Sequence, residues 1–174
     1  MEKEIIDIIV KHGSNILCSK EFAKAFLQKH HFSSTVGDHT LGVAVEAVRI
    51  CLRRGLTDDD TLRVVVTSSL CHDLGILGRD EKFRNNAQCL MQHPIDSVER
   101  YKEVTGEEDE KILDSIACHM FPLKLRMPRY KEGWIMTLAD KKGAFKEKIG
   151  RPSVTAEDRE RILKAARDRI SSAA

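Results

Sequence analysis

Apolar positions recur every three to four residues along most of the chain, and the pattern predicts helix after helix. Ile5, Ile6, Ile9 and Val10 share a face over 2–11, and Phe22, Phe26 and Leu27 point inward from a second helix over 20–30. Gly37-Asp38-His39-Thr40 opens a long helix to about Arg53, with Leu41, Val45, Val48 and Leu52 on one side. Arg53-Arg54-Gly55 stops it with a basic last turn and a glycine. Thr57-Asp58-Asp59-Asp60 is an acidic start for the next helix, which carries Leu62, Val65, Val66, Ser69 and Leu70 up to His72. Its valines favour strand, but no alternation or turn follows them.

The pattern dissolves from Leu74 to Gln92, where Gly75, Gly78, Asp80 and Asn85-Asn86 predict a long loop holding at most one short helix. His93-Pro94 reads as the start of another helix, with proline in the first turn, running to about Val104 and stopping at Gly106. Residues 107–119 are helical again, with Ile112, Leu113 and Ile116 inward. A loop with Pro122 and Pro128 follows, then a helix over 131–148. Gly150-Arg151-Pro152 breaks the chain, and Thr155 with Asp158 starts a charged last helix to about Ile170. That helix reads as a solvated face, with a lid or dimer contact as the alternative.

The 174 residues suit one domain with a sizeable core, and 41% apolar with 32% charged residues is a globular balance. A net charge of +2 gives no basic field for a nucleic-acid polymer. The charged start Met1-Glu2-Lys3-Glu4 is not a secretory signal, and no apolar run reaches membrane-spanning length. The five cysteines (Cys18, Cys51, Cys71, Cys89 and Cys118) are odd in number and lack CxxC spacing, so they read as reduced, mostly buried thiols of a cytoplasmic protein.

One ordered set changes this plain picture: His39, His72-Asp73, His93, His119 and Asp140. Any single histidine is more often a surface or hydrogen-bonded core residue than a ligand. Here the placement is unusual. His39 and His93 open helices, while His72-Asp73 and His119 close them, so all can converge at one mouth of a bundle. Asp140 lies mid-helix within Ile135-Met136-Thr137-Leu138-Ala139, where an unpaired carboxylate costs several kcal/mol. A divalent cation removes that cost. Lys141 and Lys142 are the rival partners, but neither shares the face of Asp140.

Cys71-His72-Asp73-Leu74-Gly75 resembles the HD signature of the HD-domain metal-dependent phosphohydrolase superfamily, and the order His, His-Asp, His, His, Asp is similar to its six-ligand pattern. The resemblance covers about residues 31–148. His31 to Ala44, His93-Pro94, His119-Met120-Phe121-Pro122-Leu123 and Ala139-Asp140-Lys141 further resemble small stand-alone bacterial HD proteins of a clostridial type. The loop from Leu74 to Gln92 departs, lacking that branch's aromatic, histidine-containing stretch. No GYP element supports a cyclic-di-GMP phosphodiesterase.

The resemblance implies an all-α bundle of about seven helices with ligands at helix ends. It forms one HD domain over 1–174, with N-terminal helices in 1–30 and the charged helix of 155–172 packed on the core. It also implies that His39, His72, Asp73 and Asp140 hold a first metal, and that Asp73 bridges to a second completed by His93 and His119. With a single ion, His93 and His119 would grip phosphate or pass protons. Imidazole and carboxylate suit Fe or Mn, then Zn, Ni or Co, better than Mg. A metal-activated hydroxide would then cleave a phosphomonoester or phosphodiester of a nucleotide or related small metabolite. Asp73, His93 and His119 are the catalytic candidates. Arg79, Lys124, His31 and Lys141 are the substrate contacts, and His30 is expected to be exposed. A homodimer is compatible with this reading. A mixed-valent di-iron oxygenase and a non-catalytic binding module are the competing functions on the same frame.

Overall fold

The computed structural model describes residues 1–30 and 34–173. The expectation for His31 lies outside the described residues. Nine α-helices and one 3-10 turn carry the described chain: α1 (Lys3–Leu17), α2 (Lys20–Ala25), α3 (Val36–Arg53), α4 (Asp59–Cys71), the turn Leu74–Ile76, α5 (Arg79–Lys82), α6 (Asn86–Thr105), α7 (Glu110–Cys118), α8 (Lys131–Lys148) and α9 (Ala156–Ala173). The fold is all-α, as expected. The nine helices exceed the expected seven, and the short α5 lies in the stretch 74–92 that was read as a loop with at most one short helix.

Side-chain caps set most of the starts. Ser19, Thr35, Asp58, Asn85 and Asp109 each accept a hydrogen bond from a backbone N–H of the first turn they precede. α3 is buried along nearly its whole length and packs between α4 and α8. Val43, Ala47 and Ile50 meet Val65, Ile135 and Ala139 there. The larger core gathers Ile5, Ile9, Leu41, Leu70, Tyr101, Ile116 and Ile162, with α1 lying against α4 and α9. α9 is mostly solvent-facing and buries Ile162 and Ala166. No helix among the described residues is long and apolar enough to cross a membrane. Cys18 is exposed and the other four cysteines are buried, all of them free.

Two boundaries differ from the sequence reading. α2 ends at Ala25 instead of reaching residue 30, and Lys29 pairs with Thr35 in an isolated antiparallel bridge. α6 begins at Asn86, seven residues before His93, because the Asn85 side chain caps it. Pro94 therefore sits inside the helix and not in its first turn. Gly75 brings the 3-10 turn against α6. A Cβ there would meet the His93 carbonyl oxygen at 2.3 Å, and its N–H donates to Ser97 Oγ at 2.9 Å.

α3 and α8 are also tied by charge. Lys142 and Lys146 donate to the buried Glu46 carboxylate at 2.8 and 3.2 Å. Burial alone would raise that carboxyl, but the two ammonium groups outweigh it and hold it at about 2, below its ordinary 4.5. A pKa depressed by folding means stabilisation that is full above pH 4.5 and lost as pH falls through about 2. Glu46→Gln is expected to cost on the order of 1 kcal/mol at pH 7, once screening of the half-exposed lysines is allowed for. It should cost less at pH 3. Urea unfolding at both pH values checks this, and equal losses would count against an ion-pair origin.

Candidate metal centre

Five helices deliver the donors. His39 projects from the first turn of α3, behind the Thr35 cap. His72 ends α4. Asp73 follows with φ −113° and ψ 7°, so the chain is already leaving the helix and both side chains reach one centre. His119 ends α7. His93 comes from the second turn of α6, which corrects its expected place at a helix start. Asp140 comes from the middle of α8. All six side chains are buried.

The two oxygens of Asp73 face different partners. Oδ2 lies 3.4 Å from His72 Nε2 and 3.8 Å from His39 Nε2, while Oδ1 lies 3.3 Å from His93 Nε2 and 3.4 Å from His119 Nε2. Asp140 Oδ1 is 3.1 Å from His39 Nε2 and 3.9 Å from His72 Nε2. Three donor groups result among the described residues: His39, His72 and Asp140; Asp73, His93 and His119; and His30, His39 and Asp73, which shares a member with each of the others. Each is compact enough to hold an ion.

The imidazole tautomers are fixed from behind. Nδ1 of His72, His93 and His119 donates to the carbonyls of Ser69, Cys89 and Ile116 at 2.8, 2.8 and 2.7 Å. Nδ1 of His39 donates to Glu147 Oε1 at 3.0 Å. A carbonyl can only accept, so Nδ1 of His72, His93 and His119 carries the proton and Nε2 is left to face inward, while His39 has a carboxylate at each nitrogen, Glu147 at Nδ1 and Asp140 Oδ1 at 3.1 Å from Nε2. His72 Nε2 is buried with no hydrogen-bond partner. His93 Nε2 and His119 Nε2 face each other at 3.0 Å. Burial pushes His119 down to about 4 despite Asp73, so it is neutral at pH 7. Such a nitrogen pair repels unless a proton or a cation lies between. The donor set therefore fits a transition-metal centre: backbone and carboxylate partners orient imidazoles in the way that metal-binding histidines require.

Burial alone would lower His39 and His72, but the carboxylates beside them raise both toward the imidazolium, a positive charge that a bound cation would replace. Burial would raise Asp73 and Asp140, but the surrounding imidazoles, with Lys141 beside Asp140, hold both carboxyls well below the usual carboxylate range. Lys141 corrects an expectation. Its Nζ reaches 2.7 Å from Asp140 Oδ2 and 3.2 Å from the His119 carbonyl oxygen. Adjacent helix residues diverge at Cβ, but a four-methylene arm bends back across that angle.

Two residues of the site escaped the sequence reading. His30 is buried and not exposed; its Nε2 is 2.9 Å from Asp73 Oδ2 and its ring stacks on His39 at 4.1 Å between centroids. Glu147 braces His39 and also accepts from Ser34 and Ser153. Only spacing hinted at Glu147: it lies seven residues after Asp140, two turns along the same face of α8. Loss of such a brace characteristically weakens metal binding about 10–100-fold. Glu147→Gln is expected to do so with the six donors intact. Chelator competition measures it, and unchanged affinity would reduce Glu147 to packing.

A cavity of about 580 Å³ opens over Asp73, His93, His119 and Asp140. Arg79 and Lys141, the expected substrate contacts, are among its lining residues. Lys124 is not among its lining residues; its ammonium donates to the Met91 carbonyl at 2.8 Å. Lys82 is held by the Gly75 carbonyl and Asp96. A family model described as the HD domain matches residues 36–144, a segment that contains all six donors. No curated protein and no solved structure matches the chain.

Proposed function

The chain belongs to the HD-domain superfamily of metal-dependent phosphohydrolases, and from that premise we propose that it hydrolyses a small phosphate monoester or diester at this centre. In this reading His39, His72, Asp73 and Asp140 hold one divalent ion. His93, His119 and Asp73 would hold a second. Fe or Mn suits the mixed imidazole and carboxylate set best, with Zn, Ni or Co as substitutes. When bound, such an ion supplies a Lewis acid for the phosphoryl oxygens and lowers the pKa of water toward about 7.

The remaining work belongs to the chain. The backbone carbonyls behind His72, His93 and His119 keep the Nε2 lone pairs aimed inward. Asp73, His93 and His119 lie at the floor of the cavity, nearest an entering phosphoryl group. Arg79 and Lys141 stand over that floor as cations for the non-bridging oxygens. Lys141 is partly neutralised by Asp140, so Arg79 carries more of the attraction. The free thiols favour a reducing, cytoplasmic setting for this chemistry.

The approach of His93 Nε2 and His119 Nε2 to 3.0 Å beside Asp73 Oδ1 carries this reading, because two such nitrogens need a proton or a cation between them and a shared divalent ion would serve all three donors. Purification without chelator, metal analysis and assays on phosphomonoesters and phosphodiesters with Mn or Fe test it. Metal-dependent phosphate release is expected. Oxygen uptake without phosphate release would point to a di-iron oxygenase, and a metal-free, inert protein would point to a binding module.

A further inference from the structure

The cavity is two-faced. Its floor is the donor cluster with His30 beside it, and Arg79, Asn86, Lys141 and the Cys89 thiol are the other polar groups on its wall among the described residues. The remaining wall is apolar: Ile76 from the 3-10 turn, Leu90 from α6, Met120, Pro122 and Leu123 from the segment after α7, and Ala144 from α8. Leu90 is 37% and Leu123 67% exposed, so the apolar wall reaches out to the mouth. Asn86 is already engaged, its Oδ1 accepting from Arg79.

This arrangement suits one kind of ester better than another. The base and ribose of a nucleoside carry many hydrogen-bonding groups. Pressed against Leu90, Met120, Pro122 and Leu123, they would give up water and find few replacements. A hydrocarbon chain gains from the same contact, because it covers apolar surface that water now touches. The volume of about 580 Å³ lies within the range of pockets that enclose a whole small ligand.

Resting on the phosphohydrolase reading, we propose that the substrate is a phosphate ester of an apolar alcohol, whose hydrocarbon portion lies along Leu90, Met120, Pro122 and Leu123 while its phosphate faces the donor floor and Arg79. A nucleotide, the expectation from sequence, is the competing outcome.

The test compares ethyl, butyl and hexyl phosphate with nucleoside 5′-monophosphates on the Mn-loaded full chain, by kcat/KM and, in parallel, by calorimetric binding. Full burial of a methylene is worth about a fourfold gain. A rise on the order of tenfold or more from ethyl to hexyl is expected, with an increasingly negative heat-capacity change on binding. Leu123→Ser and Leu90→Ser should flatten that slope. A flat series, or nucleotides favoured more than about tenfold over hexyl phosphate, overturns the apolar assignment while hydrolysis stands. A rising slope in binding without phosphate release upholds the apolar wall and removes the hydrolase reading instead.

Discussion

Replacing Asp73 with alanine is expected to strip the protein of bound metal and of hydrolytic activity together. No other donor faces both halves of the centre, since Oδ2 serves the His39–His72 side and Oδ1 the His93–His119 side. Without it, four imidazoles remain with Asp140 as the single carboxylate among the five donors left. A divalent ion is then under-neutralised on one side and three-coordinate at best on the other. Members of a set that works as a unit characteristically cost about 10³-fold or more when removed singly. Metal per chain and initial rate are the measurements. Asp73→Asn keeps the side-chain shape and separates lost chemistry from lost folding. Near-full activity in either variant would remove Asp73 from the centre of the mechanism.

His93→Ala should behave differently. Its Nε2 touches the Asp73 Oδ1 and His119 side only, and His39, His72 and Asp140 remain as they were. The expected result is one retained ion where the parent protein holds two, with phosphate release down roughly 10²-fold, the scale of a lost electrostatic stabiliser. Metal analysis before and after dialysis reads it directly. An unchanged metal content would assign His93 to substrate or proton handling at a mononuclear centre.

The helical frame was legible because burial imposes its period on the sequence. α3, with core on almost every side, and α4, opened by Asp58, stand close to where periodicity and capping place them. The start of α6 was not legible for a physical reason. In the stretch 86–92 only Cys89 joins the core, while Leu90 lines the cavity and Met91 is exposed, so no core period develops there. The cluster of six side chains was readable because imidazole and aspartate recur in a set order, with His39, His72, Asp73 and His119 at helix ends and His93 and Asp140 within helices. His30 carried no such mark, since its role depends on the chain turning back after α2, which no local pattern announces. Lys141 was misjudged because side-chain direction at Cβ does not fix where a long ammonium arm ends.

The carboxylate behind His39 has a wider meaning. It sits at position 147, beyond the matched segment 36–144, as does His30 on the other flank. A six-letter signature thus tells which proteins can capture an ion, but not how firmly each keeps it. Two cousins with identical donors could differ by one or two orders of magnitude in retention, and the cause would be written in flanking sequence that the signature never reads.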